Sequence, residues 1–155
     1  MAAQALPEDH DWQVPPTALL RQSTYSGPTP MEIPGGMRIT TATLDSMLKS
    51  SPVPILVDVA SGNGHETLSG AYWLPGAGRG SNFIDEVQAS LSRFLEKVTE
   101  GNKSRALVFF CVNLECWLSY NAALRAVAAG YTAVYWYRGG LSAWRSAGLQ
   151  LFPMH

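Results

Sequence analysis

Two cysteines, Cys111 and Cys116, carry the clearest capacity for chemistry in this chain, with Val112-Asn113-Leu114-Glu115 between them and Trp117 after them. A pair at this spacing is a redox couple, a local disulfide or two reduced core residues, and the count alone leaves all three open. Cys111 ends the apolar run Leu107-Val108-Phe109-Phe110, the pattern of a strand covered on both faces. From Ser119 a helical register carries Ala122, Ala123, Ala126, Val127 and Ala128 and stops at Gly130. Cys111 therefore opens a strand-to-helix turn. At the carboxyl edge of a parallel sheet such a turn meets ligands, and the helix start offers N–H groups that favour a thiolate. The competing reading of a cysteine that ends an apolar strand is plain core packing.

A turn of this length can fold back and bring the two Cα atoms within the roughly 4.4–6.8 Å that a disulfide spans. A reversible Cys111–Cys116 bridge is therefore expected, with Cys111 the more reactive thiol. Glu115 and Trp117 flank Cys116, and a neighbouring negative charge and apolar packing both raise a thiol pKa.

The elements that must position this turn read as alternating strands and helices. Arg38–Thr40 is a short extended piece, and Thr41 can cap a helix bearing Leu44, Met47 and Leu48 that ends before Pro52. Ile55, Leu56, Val57 and Val59 surround Asp58 in a buried strand. A carboxylate there needs donors, so Asp58 is expected to be structural, accepting hydrogen bonds from N–H groups of a neighbouring loop. Ala71–Leu74 makes a further strand before Pro75 and the glycine-rich GAGRG. Ser81–Gly101 reads as a long helix with Ile84, Val87, Leu91, Phe94, Leu95 and Val98 on one stripe. Ala133–Tyr137 is the last strand, and Gly139-Gly140 turns the chain into a short helix with Leu141 and Trp144. Such an order predicts an α/β domain with a mostly parallel sheet and helices on both faces.

Residues 1–37 form a separate, proline-rich arm, and residues 38–155 the domain. Six of the ten prolines fall in Met1–Gly36, which excludes a regular sheet or long helix there. Leu19, Leu20, Tyr25 and Met31 supply apolar anchors that tie the later part of the arm to the domain surface, while the first ten residues are expected to be disordered.

Composition narrows the partners. The chain has 155 residues, 46% of them hydrophobic, enough for one full core. A net charge of −1 with scattered Lys and Arg marks neither a nucleic-acid face nor a membrane-surface helix. No stretch is long and apolar enough to insert in a membrane. The start, MAAQALPEDHDW, lacks the regions of a secretory signal, although MAAQA is compatible with the remnant of a removed one. His10, His65 and His155 show no metal spacing relative to one another or to the cysteines, so no metal is expected; no cofactor is expected either.

Several stretches together resemble the ordered landmarks of a rhodanese domain from about Arg38 to Leu151. They are Ile55-Leu56-Val57-Asp58-Val59, Leu68–Pro75 (LSGAYWLP), Val108–Cys111 (VFFC), Ala128–Tyr131 (AAGY) and Gly139–Trp144 (GGLSAW). TYSGPTP in the arm, WLPGAGRG, Cys111–Trp117, SYNAALRA and GYTAVYWY are similar to a rhodanese-like branch with a cysteine-cysteine-tryptophan motif, encoded near pyrroloquinoline-quinone-dependent (PQQ) alcohol oxidation. The resemblance implies a five-stranded, mostly parallel sheet, a periplasmic location, and a persulfide-forming Cys111 with a sulfur cradled by loop N–H groups. Its implied partners are a small sulfur-containing donor or a protein thiol, and the implied substrate-binding residues are Val112, Asn113, Leu114, Glu115, Trp117 and Arg138. No quinone site follows from the neighbourhood.

The departures from the family pattern carry equal weight. Where rhodaneses close the cysteine loop with Arg-Ser, this chain has Leu118-Ser119, and Ala60 replaces the arginine common after Asp-Val. The loop holds Glu115 and no cation, which disfavours a thiolate and a doubly charged donor such as thiosulfate. A phosphatase of this fold needs the missing arginine to grip phosphoryl oxygens, so that reading is rejected. Arg138, with His65 behind it, is the candidate for replacing the missing cation. Trp117 either covers the thiol pair or packs beneath the helix. Three functions fit in this order: sulfur transfer through a Cys111 persulfide resolved by Cys116, thiol-disulfide exchange, and a catalytically inactive binding module with a fixed disulfide.

Overall fold

The computed structural model describes residues 6–154. The elements run β1 (Met37–Ile39), α1 (Thr41–Leu48), β2 (Ile55–Asp58), β3 (Glu66–Thr67), β4 (Tyr72–Trp73), α2 (Glu86–Thr99), β5 (Leu107–Phe110), α3 (Trp117–Ala128), β6 (Val134–Tyr137), α4 (Gly140–Ser146) and β7 (Phe152–Pro153). Five strands form one sheet in the order β1-β6-β5-β2-β4, with every neighbouring pair parallel. β5 lies at its centre, between β2 and β6, so the strand that delivers Cys111 is covered on both edges and both faces.

Alternation along the central strands divides the core. Val57, Phe109 and Trp136 pack on one side with Leu91, Leu95, Tyr120 and Leu124, from α2 and α3. Leu56, Val108, Phe110 and Tyr137 pack on the other with Leu44, Leu141 and Trp144, from α1 and α4. Phe109 and Phe110 have no exposed surface, and truncating a phenylalanine so placed costs about 3–5 kcal/mol. This rigidity fixes where β5 ends.

The observed elements differ from the sequence reading in three informative places. α2 starts at Glu86, because the Asp85 carboxylate caps it by accepting the Gln88 N–H (2.8 Å). The preceding residues are held by local bonds instead: the Asn82 side chain accepts the Ile84 N–H at 2.9 Å. Ile84, expected in the apolar stripe, is 93% exposed. A small antiparallel pair, β3 with β7, was not legible at two residues per strand. Thr40, not Thr41, caps α1, its side chain accepting the Thr43 N–H.

The residues before β1 lie against the domain. Of the expected anchors Leu20 is buried and Tyr25 packs on the core, whereas Leu19 is exposed; Thr29 and Ile33 are buried as well. Residues 1–5 lie outside the described residues. Residues 6–10, expected to be disordered, are placed, because the Glu8 carboxylate accepts the Thr41 N–H at 3.0 Å and its hydroxyl at 2.7 Å.

Candidate functional site

The cysteine loop begins where β5 meets the start of α4. Leu141 N–H donates to the Cys111 carbonyl (3.0 Å) and Ser142 N–H to the Val112 carbonyl (2.8 Å). Gly140 sits against this backbone with φ +65°, and a Cβ there would strike the Cys111 carbonyl oxygen. The Gly139-Gly140 pair therefore lets α4 clamp the first residue of the loop. The loop closes at Cys116, the N-cap residue of α3. Cys111 and Cys116 are joined as a disulfide with their Cα atoms 6.3 Å apart, inside the span expected from the turn.

The arm holds the second half of the loop. Gly27 N–H donates to the Glu115 carbonyl and Trp117 N–H to the Tyr25 carbonyl, both at 2.7 Å, so Ser26 and Cys116 face each other in an antiparallel bridge. Thr29 Oγ1 donates to the Leu114 carbonyl at 2.6 Å. These bonds satisfy the Leu114 and Glu115 carbonyls and the Trp117 N–H at a buried helix start.

The two cysteines open into a cleft of about 460 Å³ lined also by Tyr25, Ser26, Ser61, Arg79, Val112, Asn113, Glu115 and Leu118. Cys111 is buried at 2% exposure at its base, while Cys116 is half-buried. Among the described residues the Val112 and Asn113 N–H groups donate to no protein acceptor, and both residues line the cleft. Asn113 Oδ1 accepts the Glu115 N–H at 2.9 Å and so fixes the loop's own turn.

Arg79 is the residue that sequence reasoning missed. It belongs to the GAGRG loop after β4, and two features bring it to the cysteines. A Cβ at Gly78 would collide with the Leu118 carbonyl, so glycine alone permits the loop to lie on the first turn of α3. The buried Arg125 side chain then holds the Arg79 carbonyl through Nε (3.2 Å) and Nη2 (2.8 Å). The Arg79 guanidinium lies 5.8 Å from the centre of the Tyr25 ring, which in turn accepts the Gly80 N–H on its hydroxyl at 3.1 Å. A lone arginine in a glycine-rich stretch carries no sequence signal of this placement.

The remaining expected residues are arranged as follows. Asp58 has no exposed surface and accepts from Ala60 N–H (2.9 Å) and Thr67 Oγ1 (2.7 Å), with His65 Nε2 at 2.6 Å. One backbone donor and two side chains thus replace the purely backbone set that was expected. His65 is tied to Asp58 and does not line the cysteine cleft. Arg138 is 1% exposed, and its guanidinium is spent on the arm: Nε on Thr29 Oγ1 (3.0 Å), Nη2 on the Thr29 carbonyl (3.1 Å) and Nη1 on the Glu8 carbonyl (3.0 Å). Burial first, then the nearby Arg38 charge, lowers its pKa from the ordinary value. The expectation that Arg138 faces the sulfur as a free cation is corrected by this burial. Trp117 packs into the core with its Nε1 donating to the Pro28 carbonyl at 3.1 Å, under the Arg21 guanidinium at 4.7 Å, and does not cover the disulfide.

A family model described as Rhodanese-like domain matches residues 40–147. The chain belongs to the rhodanese-like domain family. Among solved structures it is similar to the Anabaena sp. Alr3790 protein, at 19% identity and TM-score 0.53 over 73% of this chain and 78% of that one. Thiosulfate sulfurtransferase from Pseudomonas aeruginosa gives 16% identity and TM-score 0.56 over 75% of this chain and 20% of that one. RPA3614 from Rhodopseudomonas palustris, described as a possible tyrosine phosphatase, gives 20% identity and TM-score 0.51 over 74% and 83%. At these identities the structures share the fold alone. No curated protein matches the chain in sequence.

Within this rhodanese-like domain the departures read from the sequence acquire positions. Leu118 and Ser119, in place of Arg-Ser, are buried, and Ser119 Oγ accepts the Trp136 Nε1–H at 3.0 Å. The cation of the site comes instead from a different loop, through Arg79.

Proposed function

We propose that this rhodanese-like protein transfers or carries sulfane sulfur on Cys111, with Cys116 as the resolving thiol. The observation that carries the reading is the Cys111–Cys116 bridge at the base of an open cleft beyond the carboxyl end of the central strand. In the reduced protein the Cys111 thiolate attacks the outer sulfur of a persulfide R–S–SH, expelling RS⁻ and leaving Cys111–S–SH. Cys116 thiolate then attacks the Cys111 sulfur, releases hydrosulfide and closes the disulfide. Two equivalents of a small thiol reopen it, leaving as their own disulfide.

Intact mass of the reduced protein offered a small-molecule persulfide is the test. A gain of one sulfur atom on Cys111, retained in Cys116→Ser and lost with the disulfide in the unaltered protein, is expected. Direct oxidation to the disulfide with no sulfur adduct in Cys116→Ser would favour thiol-disulfide exchange, the reading that the bridge itself also supports. A bridge inert to small thiols in the folded protein would leave only a binding module.

The proposal includes a periplasmic setting and an association with quinoprotein oxidation, supported by the likeness of the arm and the cysteine-cysteine-tryptophan segment to that branch. An oxidising compartment favours the bridged form between turnovers. Detection of the native protein in the periplasmic fraction checks the location.

A further inference from the structure

Arg79 and Glu115 present opposite charges to one cleft without neutralising each other. Both are exposed, both line the space into which the cysteines open, and no ion pair joins them. Among the described residues the Arg79 guanidinium donates no hydrogen bond and the Glu115 carboxylate accepts none. The same arm segment holds the Arg79 side chain and the Glu115 backbone: the Tyr25 ring centre lies 5.8 Å from the Arg79 guanidinium, and the next two residues pair with the loop through the Gly27 N–H to Glu115 carbonyl bond. Gly78 and Arg125 anchor the backbone of Arg79 from the other side.

A dianion such as thiosulfate gains from the arginine and loses to the glutamate, and a neutral thiol engages neither. A cleft of about 460 Å³ falls in the range of small-molecule sites, roughly 300–1,000 Å³. A ligand with one carboxylate, one ammonium and a sulfur satisfies both charges while its sulfur faces the cysteines. We propose that the cleft selects an amino-acid-type thiol, with Arg79 taking the carboxylate and Glu115 the ammonium of the R–S group that enters or leaves. This rests on the sulfur-transfer reading for its biological use, while the recognition itself is independent of it.

The test follows the loss of free thiol in the reduced, full-length protein treated with four symmetrical disulfides: cystine, dithiodipropionate, cystamine and hydroxyethyl disulfide. In each case Cys111 thiolate attacks one sulfur of R–S–S–R, forming the mixed disulfide and expelling RS⁻. Arg79→Gln is expected to slow cystine and dithiodipropionate about fivefold, and Glu115→Gln to slow cystine and cystamine about fivefold, as for a contact to an exposed charge. Hydroxyethyl disulfide engages neither charge, so its rate reports any change in thiolate fraction that a substitution makes, and the fivefold effects are read relative to it. Taking the variant-to-parent ratio for each reagent removes intrinsic reactivity differences. Equal slowing of all four reagents, or a cystine rate untouched by both substitutions, overturns the proposal. Persulfide adduct mass, measured separately, reports on sulfur transfer: loss of the adduct with charge selectivity intact sinks that function and leaves the recognition site standing.

Discussion

Arg138 and Thr29 are joined by two hydrogen bonds, Nε to Oγ1 at 3.0 Å and Nη2 to the main-chain carbonyl at 3.1 Å, and the same Oγ1 donates to Leu114 in the cysteine loop. The cation expected to serve the sulfur serves the arm instead, and Thr29 transmits that anchorage to the loop. Thr29→Val keeps the shape and removes the hydroxyl, leaving a buried guanidinium N–H and the Leu114 carbonyl short of a partner. A stability loss of about 2 kcal/mol is expected by chemical denaturation. Limited proteolysis should cut the arm faster in this variant, and an unchanged cleavage rate would show that the arm docks without Thr29.

Asp58 gathers three donors with no access to water. Asp58→Asn places an amide N–H₂ or a single carbonyl where the carboxylate accepted all three, so about 1–3 kcal/mol should be lost in thermal unfolding. Cys111 alkylation should proceed as before in the folded variant. Loss of thiol reactivity at unchanged stability would move Asp58 into the chemistry.

Much of this organisation was legible in the sequence because periodicity and punctuation survive in it. The unbroken apolar run Leu107–Phe110 marked the central strand, and Gly139-Gly140 marked the turn that clamps Cys111. What was not legible depends on long-range partners. Arg138 looked free because its acceptors, Thr29 and Glu8, lie more than a hundred residues upstream. Arg79 looked idle because the close approach of Gly78 to Leu118 has no local signature. Ile84 fitted a helical stripe, but Asn82 and Asp85 bonded the local backbone first.

The Arg125–Asp85 pair makes stability depend on pH. Arg125 is fully buried and binds both Asp85 oxygens, at 2.8 and 2.9 Å. The guanidinium's hydrogen bonds, opposed by desolvation, hold the Asp85 carboxyl well below the usual carboxylate range. Because the folded value is depressed, the stabilisation is full above the unfolded carboxylate pKa of about 4 and drains as pH falls below it. Asp85→Asn should therefore lower Tm at neutral pH and flatten its dependence on pH at the acid end. A parallel downward shift at every pH would show that the pair does not set the acid limb.

Glu115 also governs which donors the cleft rejects. Thiosulfate:cyanide sulfurtransfer should be weak, since the dianion meets the charge of Glu115, which lines the cleft. Glu115→Arg supplies a second cation beside Arg79 and is expected to raise the thiosulfate rate roughly fivefold. An unchanged rate would place the carboxylate too far from the sulfur to matter.

The two sulfurs divide the work by their surroundings. Cys111 is followed in the loop by Val112 and Asn113, whose N–H groups have no protein acceptor among the described residues; loop N–H groups of this kind favour a thiolate in general, and burial opposes one. Cys116 is more open, but Glu115 precedes it and Trp117 packs behind it. Alkylation of the reduced protein followed across pH, with the modified peptides mapped by mass, separates charge from access. Cys111 should begin to react at lower pH, and Cys116 should overtake it only at alkaline pH, where both are ionised and exposure decides. In the bridged protein the order inverts: an incoming thiol reaches the Cys116 sulfur first and expels Cys111 as the better-stabilised leaving group. Trapping the mixed disulfide during reduction should accordingly find it on Cys116. A mixed disulfide on Cys111, together with earlier labelling of Cys116, would reverse the two roles and make Cys116 the sulfur acceptor.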